Sequence, residues 1–504
     1  MDLHLRDLMS PAPLTAAPSD TLATAADAMR RRDVSSAVVL RAGAVVGILT
    51  ERDLTRAAAA GAAPATTAVA AWMTPDPVTL APGSEITAAL DRMLERNVRH
   101  LPVCAEGVLV GTVSLRQLVR AASLRRVDPW APGTARGLEN VTVAETRISH
   151  IDATGGRLVY CGHDAVRLAR TRAFEDVWHL LLTGALPSDD RFARRVAALR
   201  NLPLAASALR ALAVAEGGMM SKLESALAAT GAAWGLTPWY ERDASAIEDE
   251  AVRLASVVPS LVAALWRLGR GLDPVAPDPA LGYVANYLWM LNGRRPTATQ
   301  VMAAERYLIL TAEHGMNAST FTARVIASTG ADAAAALVGA AGALSGPLHG
   351  GAPSLVLDML DEIGTVERAG AWIAGAIADG RRIMGFGHRV YRTEDPRAAC
   401  LRATADEMGA SRAGLARAVE REALAQLRAA KPDRVLATNV EFWSAVALEG
   451  AGIPRELFTP TFAVARTVGW TAHLLEQVRD NRLIRPAASY VGPAVLEAAE
   501  PAPA

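Results

Sequence analysis

An internal repeat at the front of the chain constrains its fold more than any other feature. The stretch LMSPAPLTAAPSDTLATAADAM returns as WMTPDPVTLAPGSEITAALDRM, with Met9 and Met73 in matching places 64 residues apart. GILTERDL, beginning at Gly47, returns as GTVSLRQL from Gly111, at the same offset. A 64-residue unit is too long for a solenoid repeat, and two copies do not make an array. Each copy predicts a turn, an amphipathic helix, a short β-branched strand (SSAVVL; RHLPVC), a turn, a second strand (VVGILT; LVGTVS) and a helix.

A chain of 504 residues exceeds one core, so two or three domains are expected. The stretch SLRRVDPWAPGTAR, residues 123–136, holds Pro129, Pro132 and Gly133 with no apolar period, and reads as a linker. Beyond it FEDVWHLLLTGALP, AAWIAGAIADG and TFAVARTVGWTAHLLEQV carry apolar residues at helical spacing. Strand-like sequence there is confined to the neighbourhood of residues 139–162. The expected fold is therefore multidomain: an N-terminal α/β pair of repeats, then a mainly α unit.

Lys+Arg and Asp+Glu balance at 52 each, which removes the global basic footprint of a nucleic-acid binder and leaves room for a local anion pocket. Cys104, Cys161 and Cys400 are odd in number and widely spaced, as in a reduced cytoplasmic protein, and show no metal-ligand spacing. The N-terminus carries charges inside any apolar region and does not read as a signal peptide. The uncharged run at residues 333–357 is broken by Gly, Pro, Ser and His349, and predicts two packed helices with a turn rather than a membrane span.

The repeat resembles a tandem pair of CBS domains (cystathionine-β-synthase type) over residues 1–122. The resemblance rests on the Met-Ser/Thr-Pro openings, the RHLPV strand, and the Gly-hydrophobic-x-Thr/Ser-x-x-Asp ending. It implies an AMP- or ATP-type effector, with a hydroxyl and helix start for phosphate and a carboxylate for ribose hydroxyls. The first copy has Thr50 and Asp53; the second has Ser114 but Gln117 where Asp is expected. At most one good nucleotide site is implied, centred on Thr50 and Asp53, with Arg99 and His100 reaching the phosphate. A structural pair that has lost its ligand is the alternative.

In the helical part His314, His349 and His388 are each flanked by Gly, which permits close approach of a ligand. His349 precedes a helix expected to begin at Pro353, and a helix N-terminus disfavours imidazolium, so a neutral ring is expected. Arg381, Arg382, Arg389, Arg392 and Arg397 surround His388 in a Gly-rich loop suited to phosphates or carboxylates. In NVEFWSAVALEG, Glu441 is the only charge before Glu449. It reads either as a first-turn acid, with Thr438 or Asn439 as cap, or as a base poised by apolar surroundings.

GFGHRVYRTEDPR, GPLHGGA, HGMNASTF, NVEFWSA and RLIRPAASYVG together resemble the citrate synthase family in order and approximate spacing. The resemblance covers residues 137–495, with a small lid domain at roughly 350–440 and a tail at 496–504. It implies an acyltransferase of the EC 2.3.3 type that joins acetyl-CoA to oxaloacetate and hydrolyses the thioester. The alternatives are propionyl-CoA, giving 2-methylcitrate, or a weakly active regulatory shell. Carried over by position, Glu441 is the base, His349 donates to the thioester oxygen and His388 polarises the ketone. His314, Asn317, Arg397, Arg466 and Arg485 hold oxaloacetate, and Arg392 meets coenzyme A phosphate. Arg485 is expected to act in the neighbouring subunit, making a homodimer the minimum competent unit. No metal and no tightly bound cofactor are implied. Two positions depart from the pattern: Glu441 stands where Asp is usual, and Gly315 where Glu is frequent.

Overall fold

The computed structural model describes residues 4–32, 34–96, 98–115, 117, 118, 138, 141–240, 242–350, 352–387, 391, 393–432 and 436–488. The expected linker at 123–136, the tail at 496–504, and both His388 and Arg392 lie outside the described residues. The chain divides into two compact units, residues 1–141 with 486–504, and residues 142–485.

In the first unit the repeat extends to backbone detail. Helix Leu22–Arg32 leads into strands Ser36–Arg41 and Ala44–Thr50, then helix Glu51–Ala59. Helix Ile86–Arg96 leads likewise into His100–Ala105 and Val108–Ser114. Both hairpins turn on two residues at positive φ, Ala42-Gly43 and Glu106-Gly107, the geometry that matches the right-handed twist of paired strands. Both carry a register shift at the same place, Val39/Leu40 and Val103/Cys104. The apolar positions supply separate cores: Leu22, Val39 and Leu49 in one copy, Met93, Leu101 and Val113 in the other.

The second unit is mainly helical, with one small antiparallel sheet of Ser149–Asp152, Arg157–Tyr160 and His163–Asp164. Its centre is the helix Phe458–Arg479, buried along nearly its whole length. Against it packs Ala244–Leu268, which is long and apolar enough to cross a membrane but lies mostly inside the protein. The uncharged run forms two helices, Ala333–Ser345 and Ala352–Ile363. The second starts one residue ahead of Pro353.

Close backbone approach sets the geometry around Glu441. Helix Val440–Gly450 packs on Pro396–Glu407, Ala352–Ile363 and Ala298–Thr311. Gly385 lies against its first turn at φ +86, where an added Cβ would meet Phe442 Cβ at 2.6 Å. No other residue type fits without moving one of the two segments. Gly385→Ala should therefore cost roughly 2–4 kcal/mol, combining left-handed strain with overpacking. Gly375→Ala, in helix Ala369–Ala378 with no atom within 4 Å of the added carbon, should be neutral or stabilising. Urea midpoints of the two variants measure the contrast.

Candidate active site

Glu441 sits in the first turn of helix Val440–Gly450, and the cap is Asn439 rather than Thr438: its Oδ1 accepts from Glu441 N at 3.1 Å. The strand-like segment before the helix pairs with the Gly-rich loop. Gly387 N donates to Ala437 O at 2.8 Å, Asn439 N to Gly385 O at 3.0 Å, and Asn439 Nδ2 to Gly387 O at 2.9 Å. Two distant stretches of sequence are thereby tied, one ending just before His388 and the other just before Glu441. Glu441 keeps some solvent access, yet burial pushes its carboxyl up to about 7. Arg397 and then Arg382 pull it the other way, and Asp395 reinforces the rise. Glu441 is a first-turn acid, and its carboxyl is raised toward neutral pH chiefly by burial.

Asp395 caps helix Pro396–Glu407 and is almost wholly buried. It accepts from Arg397 N and Nε at 3.0 Å, from Arg397 Nη2 at 2.8 Å, and from Val440 N at 3.1 Å. Arg397 is buried too, and Asp395 lifts its pKa above the ordinary value against the burial cost. Arg466, on the buried helix Phe458–Arg479, donates from Nε to Thr311 O at 2.8 Å and lies 4.7 Å over the Phe462 ring. Burial lowers its pKa, and Glu313 opposes that. Arg397 and Arg466 feel each other, and fully buried Tyr307 feels both Glu441 and Arg466. Two guanidinium groups are thus held inside the protein, Arg397 paired with Asp395 and near Glu441, and Arg466 near Glu313.

His314 is half-buried, its ring edge-on to Tyr391 with centroids 5.7 Å apart. Gly315 after it has φ +60, a left-handed conformation that a glutamate would adopt only under strain. Asn317 caps helix Ala318–Ser328. Its Oδ1 accepts from Thr320 N at 3.1 Å and lies 2.8 Å from Ser319 Oγ, and its Nδ2 donates to Gly315 O at 3.1 Å. Among the described residues it shapes the loop that carries His314.

His349 is held well below the ordinary imidazole range, at about 4. The neutral ring matches expectation, but the leading cause differs: burial comes first and Arg466 second, rather than the following helix. Ser319 N donates to its Nε2 at 3.4 Å, and Ser319 Oγ lies 2.9 Å from the same atom. A backbone N–H only donates, so Nε2 accepts and the neutral ring carries its proton on Nδ1. Trp470 Nε1 donates to Ser319 Oγ at 3.1 Å, fixing the hydroxyl from behind.

Sequence reasoning missed Ser319, although it lies in the quoted HGMNASTF stretch. It also missed a buried ionic cluster. Glu313, next to His314, meets His473 Nε2 at 3.2 Å and accepts from Ser149 Oγ at 2.9 Å. His473 Nδ1 lies 3.1 Å from Arg324 Nη1, which donates to Glu476 at 2.6 Å. Arg485 is exposed in the extended segment after the last helix. Among the described residues no group of three His, Cys, Asp or Glu is placed to hold a metal.

In the first unit Thr50, Asp53, Arg99 and His100 all line one cavity of about 770 Å³, a size suited to a small-molecule ligand. Asp53 is buried and accepts from Thr50 N at 2.9 Å, Thr50 Oγ1 at 2.7 Å and Arg56 Nη1 at 3.4 Å. His100 Nε2 lies 2.9 Å from Ser35 Oγ, and burial followed by Arg99 lowers its pKa. In the second copy Gln117 Oε1 accepts from Ser114 N at 2.8 Å, in the manner of Asp53. Its amide nitrogen donates to Leu8 O at 3.3 Å and Ser10 Oγ at 3.1 Å. That polar end is spent inside the protein.

Residues 137–487 match the family model described as citrate synthase, C-terminal domain. The chain belongs to the citrate synthase family. Residues 5–60 and 69–124 each match the CBS domain model, so a tandem CBS pair precedes the citrate synthase unit. Among curated relatives, the putative citrate synthase 2 of Mycobacterium tuberculosis is 43% identical over 367 residues, 71% of this chain and 92% of that protein. The citrate synthase of Haloferax volcanii is 41% identical over 364 residues, 71% of this chain and 95% of that protein. The solved citrate synthase of Pyrobaculum aerophilum aligns with TM-score 0.67 and 37% identity, covering 73% of this chain and 94% of that one. That of Thermoplasma acidophilum aligns with TM-score 0.67 and 28% identity, covering 73% and 99%, and was solved as a ternary complex with carboxymethyl coenzyme A and oxaloacetate.

If Ser319 holds the imidazole of a citrate synthase site, Ser319→Ala should lower kcat about tenfold, the worth of one hydrogen bond to the ring. KM for oxaloacetate should move by less than about threefold, because no substrate contact is removed. An unchanged kcat would mean that His349 is oriented without it.

Proposed function

We propose that this protein condenses acetyl-CoA with oxaloacetate and hydrolyses the thioester to citrate and coenzyme A. The observation that carries the reading is the joint at residues 385–387, 395–397 and 437–441, which holds an apolar-buried carboxyl and a buried guanidinium together. A thioester methyl is a very weak acid. Its removal needs a base that is ionised at working pH yet little stabilised by water, together with a donor for the enolate oxygen. Glu441 takes the methyl proton. Neutral His349 donates from Nδ1 to the thioester oxygen, and a ring held at about 4 does so without becoming an imidazolium. The enolate carbon then attacks the ketone carbon of oxaloacetate, whose oxygen His388 polarises. Arg397 and Arg466 with His314 bind the dicarboxylate, joined by Arg485 of a second subunit, and Arg392 meets a phosphate of coenzyme A. Residues 350–440 act as the small domain, whose closure completes the site and excludes water.

In the regulatory part of the proposal, an adenine nucleotide binds the CBS cavity at Thr50, Asp53, Arg99 and His100 and shifts activity by binding two states of the enzyme unequally. Only the first copy has the Thr-x-x-Asp end; in the second Gln117 replaces the Asp and donates to Leu8 and Ser10.

The experiment is thiol release by the purified protein from acetyl-, propionyl- and butyryl-CoA with oxaloacetate. Acetyl-CoA should give the highest kcat/KM, with propionyl-CoA behind it by about tenfold, since one methylene is worth roughly 1–3 kcal/mol of discrimination. Glu441→Gln should abolish release. A higher kcat/KM for propionyl-CoA would make the enzyme a 2-methylcitrate synthase. No turnover of any short acyl-CoA would leave a regulatory shell.

A further inference from the structure

Arg466 stands apart from the other buried arginines. Arg200 meets Glu175 at 3.3 Å, Arg324 meets Glu476 at 2.6 Å and Arg397 meets Asp395 at 2.8 Å. Among the described residues Arg466 forms no such pair, although it is buried, and its hydrogen bond there runs from Nε to Thr311 O. Its charge is answered at a distance. Arg466, Gly469 and His473 share one face of helix Phe458–Arg479. Residues 311–314 cross that face so closely that a Cβ at Gly469 would collide with Ala312 O and lie 2.7 Å from Glu313 Oε2. Glu313 Oε1 accepts from Ser149 Oγ, but Oε2 is buried with no hydrogen-bond partner among the described residues. Burial raises the Glu313 carboxyl, yet His473 and then Arg466 hold it below its ordinary value, so it is ionised.

His473 does not supply the balancing cation. Arg324 Nη1, 3.1 Å from His473 Nδ1, can only donate. Nδ1 therefore accepts, and the ring's single proton sits on Nε2, 3.2 Å from Glu313 Oε1. The other titratable groups that feel Arg466 are Tyr160, Tyr307, His349 and Arg397, and none brings a negative charge. We propose that Glu313 is the resting counter-ion of Arg466 and so a positioning residue of the dicarboxylate site. It balances the buried guanidinium from beyond ion-pair reach and leaves the Nη nitrogens for a substrate carboxylate. This rests on the reading of Arg466 as part of the oxaloacetate site. Substrate brings a second negative charge to the same guanidinium in surroundings that screen poorly, so Glu313 opposes it. The empty site is stabilised, and oxaloacetate is held less tightly than Arg466 alone would hold it.

Glu313→Gln keeps the shape and removes the charge. In the full chain it should lower the melting temperature without ligand by more than about 3 °C. Calorimetry should show oxaloacetate binding at least about fivefold more tightly than to the wild type, while KM for acetyl-CoA moves by less than about twofold. Ser149→Ala loses a hydrogen bond to Glu313 but not the charge, so its oxaloacetate affinity should stay within about twofold of wild type. Glu313→Gln/Arg466→Gln strands neither charge and should melt above Glu313→Gln alone. If the single variant does not fold, folding of the double variant supports the counter-ion role and its failure overturns it. Oxaloacetate binding that is weaker or unchanged in Glu313→Gln, or a double variant that melts no higher than the single, overturns the inference. A wild type that does not bind oxaloacetate overturns the substrate reading instead, and the melting comparison still decides the counter-ion role.

Discussion

Asp395 is the carboxylate on which the geometry of the catalytic unit turns. It is buried, it caps one helix, it holds Arg397 through two parallel bonds, and it accepts the first amide of the helix that carries Glu441. Charge-assisted bonds to a buried acid are strong, and breaking such a pair from one side costs roughly 3–5 kcal/mol because the other charge is stranded. The bond to Val440 turns that local pair into a joint between two segments 45 residues apart. The pairing of residues 385–387 with 437–439 runs alongside it. The segment that leads into His388, the arginine that follows, and Glu441 therefore share one frame, and the proposed substrate clamp and the proposed base cannot move independently.

A single cause tunes two groups in opposite directions. Burial disfavours charge, so it raises a carboxyl and lowers an imidazole. Glu441 is carried to about 7 and His349 to about 4. Arg397 and Arg382 keep Glu441 from rising further, and Arg466 pushes His349 further down. The outcome is a carboxyl raised toward neutral pH and an imidazole held neutral, the two states that the proposed enolate chemistry calls for.

Local chemistry was legible in the sequence, and long-range chemistry was not. The repeat could be read because each copy builds its own hairpin, and the 64-residue offset holds even for the paired turns at Ala42-Gly43 and Glu106-Gly107. The two helices of the uncharged run and the first-turn position of Glu441 followed from Gly, Pro and cap residues nearby. Ser319 against His349, Trp470 behind Ser319, and the Glu313–His473–Arg324 cluster depend on contacts across 30 to 160 residues, for which spacing carries no signal. The neutrality of His349 was anticipated from the following helix, whereas burial and Arg466 are the larger causes, and those exist only once the chain is packed. Gln117 was visible as a departure, but its capture by Leu8 and Ser10 was not.

The central claim is that Glu441 is a base set near neutrality by burial. The most direct measurement is exchange of the acetyl-CoA methyl protons in D₂O, with a non-condensing dicarboxylate in place of oxaloacetate, followed by NMR across pH. Below its pKa Glu441 is protonated and cannot accept, so exchange should fall about tenfold per pH unit on the acid side, with a midpoint near pH 7. It should vanish in Glu441→Gln. Exchange that persists in that variant, or a midpoint at the ordinary carboxylate value, would contradict the account.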